Sequence, residues 1–519
     1  MLLMEARQLL NTKHYTAGDL AWSDASLWEQ FSELAAAAPH ALAVVGPDGQ
    51  LWTREDMRKM ALLVSEALTR GGVRPHDRIM LQGKKSAPIL AAALAISAVG
   101  AIACPYTPDL GGAERAVLDE RLNHIASIGD DAGVEIDGLR QLKLQLRERS
   151  LLGPADARDA QTALIGFTSG TTGVPKGVMH GPAALNYTVR ACSQVARLEP
   201  GDAILGIVPL GSAPGFTFTA HFALSMGHPL IMIDPWDPVK TLKAIDVYRC
   251  RWGICVPTHL ATLIEVARLK GWHNTSPLKA LGVGGSAMTP ELIQDAKSML
   301  GMTALRMFGM SECMGHASVG LDDDIERKMH SDGKSFPGTR DEAFGADNEL
   351  LPRGQRGQAG VLGPSSFLGY CIGLGEQEHR LTSEGFFLTG DEVIVGEDGY
   401  LKVVGRIKDQ IIRGGYNIDA SEVEAALLRH PAIAIAIVVA VPEKRLGEQA
   451  CAVCCIREGS AQPTLDDIKE HLLQIGLSKK KWPEYLLVRE DMLYTATGKI
   501  DKKHIAKAAI EQLGLGAQK

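Results

Sequence analysis

The chain has 519 residues, 45% hydrophobic and 22% charged, which is the composition of an ordinary globular protein with room for about three structural units. Its formal net charge is −7, from 54 Lys and Arg against 61 Asp and Glu, and neither sign forms a long block, so nucleic-acid binding gets no support. Nine cysteines, an odd number, and an opening Met1 to Leu10 that carries charges where a signal peptide has its apolar core point to a reducing cytoplasm.

From about Leu27 to Arg406, helical segments alternate with short apolar strands, beginning with Ala41–Val45 and Arg78–Leu81. Ala87 to Cys104 is uncharged for 18 residues, but Pro88, Ser97, Gly100 and its many alanines argue against a membrane span. A buried helix ending near Gly100, then the strand Ala101–Cys104, is expected. Further strands are expected at Ala163–Phe167, Ala203–Val208, Pro229–Ile233 and Ala280–Val283. Such alternation reads as α/β, with mainly parallel sheets covered on both faces.

After Phe336 the texture changes to Gly- and Pro-rich short strands (Pro352 to Gly354, Gly357, Gly360, Gly363 and Pro364), a small β-rich module before Asp391. Residues 409 to 519 combine a helix from Ser421 to Arg429, opened by Ser421 and Glu424 as a capping box, a buried strand Ile433 to Val441 and a helix Leu465 to Gln474. Cys451 and Cys454 have zinc-like spacing, but they alternate with Ala452 and Val453 as in a strand, so they read as structural. Lys479-Lys480-Lys481 reads as a solvated turn.

One stretch stands apart: Thr168-Ser169-Gly170-Thr171-Thr172-Gly173-Val174-Pro175-Lys176-Gly177, directly after the apolar run Ala163–Phe167. Glycines let a backbone approach a polyphosphate with its N–H groups, hydroxyls donate further hydrogen bonds, and lysine adds positive charge. The spacing is not that of the Walker loop, because Pro175-Lys176-Gly177 stands where Gly-Lys-Ser/Thr is needed. A different nucleotide fold is expected.

This loop resembles the signature of the adenylate-forming enzymes: acyl-CoA synthetases, aryl-acid ligases, nonribosomal-peptide adenylation domains and luciferases. Further segments resemble that family's motifs, in its order. They are Phe308-Gly309-Met310-Ser311-Glu312, Phe387-Leu388-Thr389-Gly390-Asp391, the run Gly405 to Ile418, and Thr495-Ala496-Thr497-Gly498-Lys499-Ile500. The resemblance covers nearly the whole chain. It implies a large N-terminal domain of two α/β subdomains plus the β-rich module, residues 1–407. A small, mobile α+β C-terminal domain, residues 408–519, would follow.

The resemblance also implies roles. Thr168, Ser169, Gly170, Thr171, Thr172 and Gly173 would hold the β- and γ-phosphates of ATP, with Lys176 as a charge, and Glu312 would bind Mg²⁺. Gly284-Gly285-Ser286 and Phe308 would form the adenine platform, Gly309, Met310 and Ser311 would also belong to the nucleotide site, and Asp391 and Arg406 would bind the ribose. Lys499 would neutralise the attacking carboxylate and the α-phosphate together, and Lys408 would be the hinge between two half-reactions. Thr168, Lys176, Glu312 and Lys499 are the candidate catalytic residues.

The expected reaction joins a small-molecule carboxylic acid to AMP with release of pyrophosphate, then transfers the acyl group to CoA. Leu321-Asp322-Asp323, Met329 to Gly333 and Lys481-Trp482-Pro483-Glu484 give a texture similar to ligases of medium-chain and alicyclic acids. Where many relatives carry Pro-Leu-x-His-x-x-Gly, this chain has Pro209-Leu210-Gly211-Ser212-Ala213-Pro214-Gly215, so Ser212 replaces a histidine or aromatic gate. Leu493 stands where the last motif usually has proline. A pocket with Ser212, Gly215, Phe216, Thr217, His259 and Met310 would favour an apolar acid. Transfer to an amino acid, as in coronafacate-ligase-type enzymes, is the near alternative, and a nucleotide-binding pseudoenzyme is disfavoured by Glu312, Asp391 and Lys499 together. The acid and the oligomeric state stay open.

Overall fold

The computed structural model describes residues 23–108, 112–130, 133–149, 156–168, 176–272, 277–285, 288–371, 381–414, 416–494 and 500–515. The chain forms two compact units, one of Met1–Arg340 with Val361–Phe387 and one of Asp341–Gly360 with Leu388–Lys519.

The first unit holds two mixed sheets whose centres are parallel, as alternating helices and strands require. In the eight-stranded one, Arg78–Gln82 runs parallel to Ile102–Tyr106 and Ala126–Gly129, and Ile102–Tyr106 parallel to Leu164–Thr168. Antiparallel strands Lys176–His180 and Leu139–Leu146 extend it on either side. The other sheet places Leu42–Val45, Leu230–Met232, Ala203–Gly206, Cys250–Cys255, Ala280–Gly284 and Thr303–Met310 side by side, all parallel. Cys313–Ser318 turns back antiparallel on the last of them.

The uncharged run is a helix, Ala87–Ala98, capped by Ser86 and followed by Gly100 at φ 70° and the strand Ile102–Tyr106. Ala87 to Ile96 are all buried, and the alanines are what let a helix be enclosed on every side and still approach its neighbours. Among the described residues no helix is long and apolar enough to cross a membrane.

In the second unit, Phe387–Val395 pairs antiparallel with Tyr400–Arg406. Beyond them lies a five-stranded sheet built on the long pair Ile433–Glu443 and Gly447–Ile456. Helices Ala420–Leu428 and Lys502–Gln512 pack on Ile433–Glu443, and Leu465–Gln474 starts where expected, with Thr464 and Asp467 as its capping box.

The expected capping box at Ser421 and Glu424 is not formed. Asp419 is the N-cap, its carboxylate accepting from the Ser421 N–H at 3.0 Å. Glu424 instead points inward, accepting the Val438 N–H at 2.9 Å and pairing with Lys502 at 2.8 Å. The reason is packing: the face carrying Glu424 lies on the strand, and an aspartate ending Tyr416–Asp419 already serves the first amides. Burial pushes the Glu424 carboxyl up, with Lys502 pulling the other way.

All nine cysteines are buried thiols outside any disulfide, and Cys451 and Cys454 lie in the strand Gly447–Ile456. Burial pushes both of those thiols up to about 12, so they behave as small apolar groups. Lys479–Lys481 forms a 3₁₀ turn in which Lys479 and Lys480 are exposed, and Lys481 reaches Glu422 at 2.6 Å.

Candidate nucleotide site

The strands Leu164–Thr168 and Lys176–His180 form an antiparallel hairpin in which Thr168 faces Lys176 and Phe167 faces Gly177. A Walker loop leads from a strand into a helix, whereas this segment leads from a strand back along itself. The departure from Walker spacing is thus a departure of fold. Thr168 and Lys176 stand at the base of the loop, and Ser169, Gly170, Thr171, Thr172 and Gly173 lie outside the described residues.

A short segment, Phe367 to Cys371, ties this hairpin to Glu312. The Leu368 N–H donates to the Met179 carbonyl and the Cys371 N–H to the Gly177 carbonyl, both at 2.7 Å, and Tyr370 pairs opposite Val178. On its other side the Phe367 N–H donates to the Glu312 carbonyl at 2.8 Å. Glu312, in the turn between Thr303–Met310 and Cys313–Ser318, is 8% exposed and accepts the Tyr370 hydroxyl on Oε1 at 2.6 Å. His180 Nε2 donates to the Ser311 carbonyl at 2.7 Å. The Lys176 ammonium lies 5.1 Å from the centre of the Tyr370 ring. Three candidate residues, Thr168, Lys176 and Glu312, are thereby held on one framework, and Tyr370 is its centre.

Tyr370 was not singled out by the sequence. The available signal was a hydroxyl-bearing aromatic after glycine.

Gly284 ends the strand Ala280–Gly284, and a Cβ there would stand 2.9 Å from the Met307 carbonyl, too close for any other residue. Gly285 has φ 89°, which glycine alone adopts easily, and Ser286 lies outside the described residues. Gly284 pairs with Met307, so Gly285 arrives beside Phe308, whose ring meets His316 edge-on at 4.6 Å. Gly309 approaches Gly315, where an added Cβ would be 2.6 Å from the amide nitrogen.

In the second unit, Asp391 and Arg406 face each other across the pair Phe387–Val395 and Tyr400–Arg406. Arg406 Nε donates to Asp391 Oδ1 at 2.6 Å. Lys408 follows in the exposed 3₁₀ turn Ile407–Asp409. Just beyond it, Gln410 donates to Glu392 at 2.6 Å, and Arg356 bridges Glu392 and Asp419. Lys499 lies outside the described residues, between Tyr494 and Ile500, which bridge to each other.

The acyl-side candidates have separate surroundings. Ser212 caps the short helix Ala213–Gly215, accepting from the Gly215 N–H and donating to the Pro209 carbonyl, each at 3.1 Å. A Cβ at Gly215 would overlap that carbonyl. Phe216 is buried and opens a π-helical turn, Phe216–His221, and Thr217 donates to the Met314 sulfur at 3.3 Å. Met310 packs against a buried cluster that includes Val178, Cys313 and Phe367. His259 stacks on Trp236 at 4.5 Å, and burial, aided by the Lys85 ammonium, pushes it down to about 4, so it is neutral. Lys85 itself is buried between the Ile207 and Ile233 carbonyls at 2.8 and 2.6 Å, and burial brings it to about 8. Neither Trp236 nor Lys85 was singled out by the sequence.

Comparison with known proteins gives matches along the chain. A family model described as AMP-binding enzyme matches residues 31–371, and one described as AMP-binding enzyme C-terminal domain matches residues 422–499. The medium-chain fatty-acid–CoA ligase of Escherichia coli strain K12 is 28% identical over 521 residues, spanning 95% of this chain and 92% of that one. ATP-bound MatB from Rhodopseudomonas palustris aligns with a TM-score of 0.80 at 23% identity, over 94% of this chain and all of that one (100%). The amide bond synthetase McbA from Marinactinospora thermotolerans aligns at 0.79 and 24% identity, over 93% and 100%. At these identities the two structures speak for the fold.

Proposed function

The chain belongs to the AMP-binding enzyme family, an AMP-forming ligase that adenylates a carboxylic acid at the expense of ATP, and from that premise we propose that its acid is apolar and its acceptor is CoA. The observation that carries the acceptor is the likeness to a fatty-acid–CoA ligase along 95% of the chain. The apolar acid is supported by buried, uncharged Gly215, Phe216 and Thr217 and by a neutral His259.

In this reading an acid oxygen bonds to the α-phosphorus as pyrophosphate leaves, and the CoA sulfur then takes the acyl carbon as AMP leaves. Thr168, Lys176 and the residues Ser169 to Gly173 hold the outer phosphates. Gly284 to Ser286 with Phe308 hold the adenine and Asp391 with Arg406 the ribose, and Gly309, Met310 and Ser311 belong to the same nucleotide site. Lys499 neutralises the acid and the α-phosphate, and Lys408 turns the segment 408–519 between the half-reactions.

Glu312 is the candidate Mg²⁺ ligand, and its surroundings fit: a buried carboxylate with one oxygen fixed by a neutral hydroxyl is a hard, oriented donor that triphosphate oxygens and water can complete. When bound, the ion would screen phosphate charge. Nine thiols outside any disulfide suit a cytoplasmic location.

Ser212 supports a second reading, transfer to an amine, because a small capping residue occupies the position of the usual gate. Mass spectrometry of products from an acid panel, with CoA and mixed amino acids offered together, tests both. Acyl-CoA from apolar acids is the expected product. N-acyl amino acids without thioester would reverse the acceptor, and pyrophosphate release only with charged or sugar acids would reverse the acid class.

A further inference from the structure

We infer that Tyr370 is a positioning residue of the nucleotide site: its hydroxyl aims the Glu312 carboxylate toward a divalent cation, and its ring holds the Lys176 ammonium at the base of the phosphate hairpin. The inference rests on the metal role proposed for Glu312.

Two charges of opposite sign must be held in this corner of the protein without cancelling each other. A carboxylate oriented by lysine or arginine would lose much of its field to that cation, and a lysine fixed by a carboxylate would likewise have less charge to offer phosphate. Tyr370 contributes neither kind of partner. Its O–H donates to Glu312 Oε1 at 2.6 Å, a neutral donor that fixes the carboxylate and leaves its negative charge whole. Its ring face lies 5.1 Å from Lys176 Nζ, an attraction that places an ammonium without itself adding a countercharge.

The tyrosine is itself pinned. Its carbonyl accepts from Arg158 at 2.7 Å, its strand pairs with Lys176–His180, and it meets Phe367 edge-on at 5.1 Å. A carboxylate only accepts, so the phenol O–H is the donor in this pair. Phenylalanine would serve packing equally well. The hydroxyl is explained by the carboxylate.

The full-length protein is tested as wild type, Tyr370→Phe, Tyr370→Leu and Glu312→Gln. Mn²⁺ binding is read by electron paramagnetic resonance with a saturating non-hydrolysable ATP analogue, and analogue affinity is read separately in EDTA. Tyr370→Phe is expected to weaken Mn²⁺ binding about tenfold, the usual cost of losing an outer-shell partner, with metal-free nucleotide affinity within about twofold. Tyr370→Leu should weaken Mn²⁺ similarly and, having lost the ring beneath Lys176, also weaken the metal-free analogue about threefold or more. Thermal midpoints separate these effects from loss of fold.

If Glu312→Gln loses Mn²⁺ affinity and Tyr370→Phe does not, Tyr370 does not position the carboxylate and the metal role of Glu312 stands. If Glu312→Gln binds Mn²⁺ as wild type does, both ideas fail. Equal losses of metal-free and Mn²⁺ binding in Tyr370→Phe would assign the hydroxyl a purely structural role and overturn the inference.

Discussion

Arg406 and Asp391 are bound to each other directly across two antiparallel strands, Nε to Oδ1 at 2.6 Å, with Asp391 only 5% exposed. The carboxylate is therefore set by β backbone rather than by a loop, and the arginine engages one of its two oxygens. A ribose held there would gain hydrogen bonds to a charged group, worth about 1.5–3 kcal/mol each. Asp391→Ala should raise the KM for ATP about tenfold or more, and Arg406→Leu should raise it less, because the carboxylate remains. Pyrophosphate release as a function of ATP concentration measures both, and an unchanged KM in Asp391→Ala would remove Asp391 from the ribose site.

Lys499→Ala should lower the rate of acyl-AMP formation by about 10²–10³-fold, the range for removing one oriented transition-state partner. ATP binding by calorimetry and the thermal midpoint should stay close to wild type. Near-normal pyrophosphate release would exclude the lysine from the chemistry.

Lys408→Pro fixes φ in the exposed turn Ile407–Asp409, the point about which residues 408–519 are proposed to turn. The thioester-forming step, measured from preformed acyl-AMP, should slow by about tenfold, and adenylation by less than about threefold. Equal slowing of both would argue against a hinge at this residue.

His221 supplies a pH prediction. Its ring is 2% exposed and faces Asn186 Oδ1 at 2.9 Å, and burial, with the Arg190 guanidinium nearby, holds it down to about 4. The unfolded imidazole titrates at about 6.5, so between these values the unfolded chain binds more protons than the folded one. Stability from this group is intact above pH 6.5 and falls as pH drops toward 4, by about 1.4 kcal/mol per unit. His221→Gln keeps a donor for Asn186 and removes the titration. The difference in urea unfolding free energy between pH 7 and pH 5 should shrink by about 2 kcal/mol in the variant; no change would mean that other groups dominate the acid limb.

Strand positions were legible in the sequence because buried parallel strands are short apolar runs: Arg78–Gln82 is buried at all five positions, and its neighbours show the same texture. The alanine-rich helix was legible for a related reason, since a run of 18 residues without a charge leaves a helix no charged face to turn to water. The start of Ala420–Leu428 was misread because Ser421 and Glu424 satisfy the capping spacing, while the choice between them and Asp419 depends on which face meets the sheet. Local pattern carries no information about that face.

The candidate site was legible where the chemistry is crowded into one stretch, as in Thr168 to Lys176. It was illegible where one residue acts across long sequence gaps. Tyr370 is 58 positions from Glu312 in the chain, and its meaning comes only from the pairing of its strand with the hairpin. Lys85, between two carbonyls at the ends of separate strands, is another such case.

The nine enclosed thiols have a practical consequence for watching this protein move. A maleimide dye attacks thiolate, and a sulfur shielded from solvent reacts slowly. One cysteine introduced on the exposed face of the second unit, at Lys402 or Lys444, should then take up a fluorophore ahead of the native nine. A single-site optical reporter of the catalytic cycle could be made without first stripping the sulfur from the core.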